Sequence, residues 1–439
     1  MASINKRSFE GIDSSMSSVR IRNQASRKAS VLSDMTLPTG SRINKPSMKE
    51  SDIESIGLNE FQRHTLRTDQ NVETGSKGLK LPLLGLFGEV GSLLSALKKK
   101  RRDVEAYIGY EDAVLEEFGD VLWYFANIAM RANLDLSVLA QRVFRDITDW
   151  DEVQTYEFAT FQDLQHKREF EGPVSMEAFE SGLIRLAGKV GRLLDDVAQE
   201  HIKDNRDTLS SHLVDILRAI LEAAQNADVD LEKAATRNVA KTLSRWPEKR
   251  TYGAHFDLGF DKDEQLPRRM KMEFEEKRQG NRLFVIQKCN GVIVGDRLTD
   301  NKVEQDDYRF HDVFHLAYAA ILGWSPVMRA LFKVKRKSRS DFDENQDGAR
   351  AILIEEGVST WVFNHALRLN LFSGINRLDY SILKAVHELV KGYEVDVRPL
   401  WQWETAILEG FKVFRELKRV RTGVVIADLN RRTIEFKPR

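Results

Sequence analysis

The chain has 439 residues, 67 basic and 67 acidic side chains, and 42% hydrophobic residues. That length exceeds one compact core and predicts two or three domains. The zero net charge removes the electrostatic argument for a polyanion partner, so no clear nucleic-acid binding is expected. A single cysteine, Cys289, excludes an intrachain disulfide and fits a reducing compartment. With no apolar run near the roughly 20 residues of a membrane span and no secretory apolar core, a cytoplasmic location without a membrane partner is expected.

Residues 1–50 are rich in Ser, Lys and Arg and poor in large apolar side chains, which predicts a disordered tail. From 55 to 150 apolar residues recur at helical spacing, through 80–97, 113–131 and 135–147, broken by a charged connector after Lys98. Residues 155–247 repeat this plan. Leu86-Phe-Gly-Glu89-Val-Gly returns as Leu186-Ala-Gly-Lys189-Val-Gly, and Phe61-Gln62 as Phe161-Gln162. Glu117-Phe-Gly-Asp120 returns as His212-Leu-Val-Asp215, and Asn133-Leu-Asp-Leu136 as Asp228-Val-Asp-Leu231. Four matching segments in one order indicate a tandem duplication of a four-helix unit of about 95 residues. A polar linker is expected over 248–275 and a different domain over 276–439. There, Arg282–Gln287 and Val292–Arg297 flank Asn290-Gly291, a strong hairpin signal. Val424–Ala427 and Thr433–Phe436 form a second strand pair, and helices are predicted near 308–322, 347–370, 378–392 and 400–418. The expected fold is mainly α: two tandem four-helix bundles followed by an α+β C-terminal domain with small β-hairpins.

On a helix, Glu89 and Ser92 share a face, as do Glu117 and Asp120. Packing those faces together would converge carboxylates in an apolar bundle, where their charge must be compensated. A divalent cation is the usual means, and all-oxygen ligation selects Mg²⁺ or Mn²⁺. The competing reading is a set of solvated surface charges. Only the first repeat keeps the acids, since Lys189 and His212 stand at the positions of Glu89 and Glu117.

Taken together, Gly-Glu89-Val-Gly, Glu116-Glu117-Phe-Gly-Asp120-Val-Leu-Trp-Tyr124 and Leu58-Asn-Glu-Phe-Gln62 resemble the MazG-type pyrophosphohydrolases of the all-α NTP pyrophosphatase superfamily. The family signature, ExxE, a variable spacer, then ExxD, falls on Glu89, Ser92, Glu117 and Asp120. The resemblance implies Mg²⁺ held by Glu89, Glu117 and Asp120, and hydrolysis of a nucleoside triphosphate, often a deoxynucleotide, to monophosphate and pyrophosphate. It also implies a homo-oligomer. Glu116 is assigned as a helper or water-orienting base. Ser92 departs from the pattern, because a hydroxyl is a much weaker metal ligand than the second Glu of the family, and Glu116 or the connector acid Asp112 is the expected substitute.

The Asn, Lys and Arg that commonly close the family's fold are absent after the first repeat, where Arg142, Arg145, Asp149 and Trp150 stand. They are present after the second as Asn238, Lys241 and Arg245-Trp246-Pro247. The expectation is a pseudo-dimer within one chain, with repeat one holding metal and repeat two supplying phosphate contacts. The alternative for these cations is a solvated helix end.

In the C-terminal domain, His311-Asp312-Val-Phe-His315 sets two imidazoles one turn apart, and Glu355-Glu356 interrupts an apolar helix. This is metal-ligand spacing, with buried histidines satisfied by the acids as the alternative. The segment resembles C-terminal domains appended to some MazG-like proteins. Lys333–Lys337, Arg339 and Asp341–Glu344 read as a solvated charged loop, while Trp361, Trp401 and Trp403 read as core or base-stacking residues. The leading expectation is a metal-dependent NTP pyrophosphohydrolase. The alternatives are a nucleotide sensor that no longer turns over, and chemistry located at the His/Glu site.

Overall fold

The computed structural model describes residues 55–71, 73, 75–144, 160–166, 175–202 and 206–439. The tail expected over 1–50 lies outside the described residues, as do Arg145, Asp149 and Trp150. The fold is mainly helical, with a small antiparallel sheet in the C-terminal part.

Helices α1 (Leu58–Thr68), α2 (Gly75–Asp103), α3 (Tyr110–Arg131) and α4 (Leu136–Phe144) come from the first repeat. Helices α5 (Phe161–His166), α6 (Met176–Ala198), α7 (Arg206–Asn226) and α8 (Leu231–Arg245) come from the second. They do not form the two separate bundles expected. One hydrophobic core runs through both repeats. Helix α2 packs on α6, and the fourth helix of each repeat lies against the third helix of the other, α8 on α3 and α4 on α7. Phe61 and Phe161 meet edge to face at 5.3 Å. The exchange has a physical basis in the stripes on α2 and α6. Leu83, Leu86, Val90 and Leu93, with their counterparts Leu183, Leu186, Val190 and Leu193, are fully buried, so each repeat must cover the other's apolar face.

The start of each fourth helix is held in the same way. Asn133 and Asp228 take left-handed φ values of 56° and 54°. Gln62 donates to Leu134 O (2.8 Å) and accepts from Leu136 N (3.0 Å), satisfying buried backbone groups. In repeat two Gln165 does this, donating to Val229 O (2.9 Å) and accepting from Leu231 N (2.8 Å). The counterpart of Gln62 is therefore Gln165 and not the exposed Gln162. Among the described residues one stretch, Gly78–Ala106, is long and apolar enough to cross a membrane. Its apolar stripe is the bundle core just described.

The C-terminal sheet is ordered β3-β2-β1-β4-β5, all antiparallel, from β1 (Arg269–Gln279), β2 (Arg282–Cys289), β3 (Val292–Ile293), β4 (Thr422–Asp428) and β5 (Thr433–Lys437). Asn290 and Gly291, at φ 50° and 82°, make the tight turn that positive φ at both positions requires. Strand β1 corrects the linker expectation, because it begins inside 248–275 and forms the centre of the sheet. Met270, Met272 and Phe274 face the core while charged residues alternate outward.

Helices α9 (Asp312–Leu322), α12 (Ala349–Leu367), α13 (Tyr380–Val390) and α14 (Leu400–Val420) stand near the expected positions. Two short helices, α10 (Pro326–Phe332) and α11 (Ser340–Asn345), were not expected. Ser325 caps α10 by accepting from Met328 N (3.0 Å), with Pro326 in its first turn. The solvated-loop reading fails at Arg336, which is fully buried and bonded to Asp347 and Glu394, each at 2.7 Å. Trp401 and Trp403 belong to the core, whereas Trp361 is partly exposed.

Candidate functional site

The crossing of α2 and α3 brings Glu89, Glu117 and Asp120 together, with one carboxylate oxygen from each within 4.8 Å of the others. Burial pushes Glu117 up to about 8, reinforced by its hydrogen bond to Glu89 and by the charges of Glu89 and Asp120. Glu89 is also raised, first by burial and then by the charge of Asp120. Burial and mutual repulsion thus disfavour charge on both members of the pair. Ser92 hydrogen-bonds to the Glu89 carboxylate, so its hydroxyl reaches the cluster without adding charge.

Helix α8 completes the site from the second repeat. Asn238 Nδ2 donates to Asp120 (2.7 Å), and Lys241 Nζ bonds both Asp120 oxygens (2.6 Å to Oδ2). This approach requires Gly119, where a Cβ would sit 2.7 Å from Ala234 O and 3.0 Å from Asn238 Cβ. Arg245 points elsewhere. It donates to Leu378 O (2.7 Å) and stacks over Trp246 and Tyr380.

Glu116 does not join the acids. It accepts from the Tyr380 hydroxyl (3.0 Å) and from Lys384, and lies 3.5 Å from Lys241. Burial would raise it, but Lys241, Lys384 and Tyr380 outweigh that and hold it below its ordinary value. A carboxylate so fixed is a poor proton acceptor, which argues against the base role expected of it. Tyr380 and Lys384 carried no sequence signal, because their contact with Glu116 spans more than 260 residues of chain. Asp112 is exposed and paired with Arg237.

Near the acids lies a cavity of about 930 Å³, in the size range of a nucleotide site, lined by Trp123, Tyr124, Trp246, Arg245, Lys80 and Arg377 among others. Tyr124 links the two, since its hydroxyl is raised by burial and by the charges of Glu89 and Asp120. Its ring occupies the space a Cβ at Gly85 would need.

In the C-terminal domain, α9 and α12 set His311, His315 and Glu356 against one another. Asp312 adjoins them, 3.2 Å from His311 Nε2. Glu355 stays behind His315, fully buried.

Residues 251–439 match the family model of the MazG C-terminal domain. This similarity to MazG proteins covers less than half of the chain. Its match begins before β1, so the segment read as linker belongs to this domain. A second similarity is to the Gene 37 protein of Mycobacterium phage L5, 38% identical over 68 residues. That stretch is 15% of this chain and spans 60% of the phage protein's length. No solved structure matches.

Proposed function

We propose that the helical bundle is a divalent-cation-dependent nucleoside triphosphate pyrophosphohydrolase whose site is built by both repeats. The observation that carries this reading is the convergence of Glu89, Glu117 and Asp120, with one carboxylate oxygen from each within 4.8 Å of the others. Three crowded carboxylates facing one lysine leave negative charge uncompensated, and their all-oxygen donor set fits Mg²⁺ or Mn²⁺. The general relation to MazG proteins through residues 251–439 supports the same direction.

Glu89, Glu117 and Asp120 would hold the cation, with the Ser92 hydroxyl supporting Glu89. When bound, such an ion neutralises phosphate charge and makes water a better nucleophile. Lys241 and Asn238, which bond Asp120, would contact phosphate oxygens of the substrate. The rings of Trp123, Tyr124 and Trp246 offer apolar faces for a base. In the reaction, water oxygen bonds to the α-phosphorus and the α–β bridging bond breaks. Pyrophosphate leaves with the bridging oxygen, and the water proton passes to solvent. A cytoplasmic homo-oligomer and a preference for deoxynucleotides belong to the same proposal.

A second reading, a nucleotide sensor that binds without turnover, is favoured by Lys241 lying across both oxygens of Asp120 and by Ser92. The test is pyrophosphate release from a panel of dNTPs and NTPs with Mg²⁺, for wild type, Glu117→Gln and Glu356→Gln. Release abolished by Glu117→Gln alone supports hydrolysis in the bundle. Tight binding without release supports the sensor, and loss only in Glu356→Gln moves the chemistry to the C-terminal domain.

A further inference from the structure

The hydrolase reading leaves unused a fully buried histidine of the C-terminal domain. His315 is fully buried on α9, and its Nδ1 lies 2.9 Å from Glu355 Oε1. Glu355 is itself fixed, accepting from the Ser325 hydroxyl (2.7 Å) and from Val327 N (2.8 Å). The other ring nitrogen, Nε2, is buried without a hydrogen-bond partner and stands 3.4 Å from Glu356 Oε1. One turn earlier, His311 repeats the pattern. Its Nδ1 is 2.9 Å from Tyr308 O, and its Nε2 is 3.7 Å from Glu356 Oε2. Stacking on the Tyr308 ring, 4° from parallel, fixes the His311 plane.

Each imidazole is thus anchored through Nδ1 by a carbonyl or carboxylate, and both Nε2 atoms lie within 3.7 Å of the Glu356 carboxylate, His311 Nε2 also standing 3.2 Å from Asp312. This is how ligating histidines are oriented by outer partners. A structural ion pair would need one imidazole and one acid. It gives no reason for a second imidazole, desolvated and beside the same carboxylate, nor for a buried Nε2 without a hydrogen bond. His311, Asp312 and Glu356 also line a cavity of about 670 Å³, so one side of the group is open.

We propose that His311 Nε2, His315 Nε2 and Glu356 form a binding site for a first-row transition cation of the Zn²⁺, Fe²⁺ or Mn²⁺ class, with its remaining coordination positions toward this cavity. Two nitrogens and one carboxylate favour such ions over Mg²⁺, which sets this site apart from the all-oxygen cluster in the bundle. Glu355 is a positioning residue that holds the His315 ring.

The test is Co²⁺ titration of the full chain after purification under chelator, read by visible ligand-field absorption, with metal content of the untreated protein measured in parallel to identify the native ion. One equivalent should bind with nitrogen-ligand bands that persist in excess Mg²⁺ and in Glu117→Gln. The bands should vanish in His311→Ala and weaken in Glu356→Gln, while Glu355→Gln should lower Co²⁺ affinity by about 10–100-fold. Circular dichroism establishes that each variant is folded. Absence of ligand-field bands in wild type, their survival in folded His311→Ala, undiminished bands in folded Glu356→Gln, or their loss in Glu117→Gln would overturn the proposal. The last result places the ion in the bundle, so failure here is distinguishable from failure of the hydrolase reading.

Discussion

The two repeats carry the same helix crossing with different chemistry at its centre. In α2 and α3 the crossing holds Glu89, Glu117 and Asp120, half-buried, with the ionised form of each disfavoured by burial. In α6 and α7 the counterparts are Lys189, His212 and Asp215. There Lys189 lies 3.5 Å from Asp215, and His212 pairs with Asp196 at 3.4 Å. The second crossing satisfies its own charge, and the first does not. The difference teaches that the scaffold alone has no need for three converging acids. A sequence that can replace them with an ion pair while keeping Leu186, Val190 and Leu193 buried has separated folding from whatever the acids bind.

The largest effect that would sharpen this comparison is on turnover. Glu117→Gln should lower pyrophosphate release on the order of 10²-fold or more, because cation stabilisation of the reaction is worth several kcal/mol. Steady-state release at saturating Mg²⁺ measures it, and near-normal activity would break the distinction between the two crossings.

Next in size is a change in packing. Gly119 lets α8 approach α3, whereas the equivalent residue on α7 is Val214. Gly119→Ala should destabilise by about 1–3 kcal/mol through overpacking against Ala234 and Asn238, offset in part by better helix propensity. Denaturant unfolding checks this, with Val214→Ala as the comparison expected to respond as a simple loss of buried methyl groups.

A smaller effect depends on pH. The folded protein holds the Glu117 proton more tightly than the unfolded chain, so the stability from this group is present below about 4.5, its ordinary value. It is lost as pH rises through about 8. Thermal unfolding without metal should therefore show stability falling over that range, and Glu117→Gln should flatten the fall. Because a cation must displace that proton, Mg²⁺ should stabilise wild type more at pH 8 than at pH 6. The smallest effect is in repeat two, where Lys189→Ala should change stability by less than about 0.5 kcal/mol, since its pair with Asp215 is largely solvated.

Much of this arrangement was legible in residue spacing. The three-residue step from Glu117 to Asp120 and the four-residue step from His311 to His315 place each pair on one helical face, and the Asn290-Gly291 turn stands where it was expected. The exchange of fourth helices was not legible, because apolar stripes on α4 and α8 identify a buried face without naming the helix that buries it. Strand β1 was missed although Met270, Met272 and Phe274 alternate cleanly, since the charges between them read as linker. Arg336 was misread because a run of cations looks solvated until Asp347 and Glu394 are seen to close on it. Tyr380 and Lys384 have no local pattern at all, and only the folded chain brings them to Glu116.

The central claim is that one site is assembled from both repeats, with Lys241 of the second serving the acids of the first. The direct measurement is calorimetric affinity for a non-hydrolysable dNTP analogue with Mg²⁺, in wild type and a folded Lys241→Ala variant. A charged hydrogen bond to phosphate contributes about 1.5–3 kcal/mol, so binding should weaken roughly tenfold or more. Unchanged affinity in Lys241→Ala would contradict the composite site and leave the acids of the first repeat to act alone.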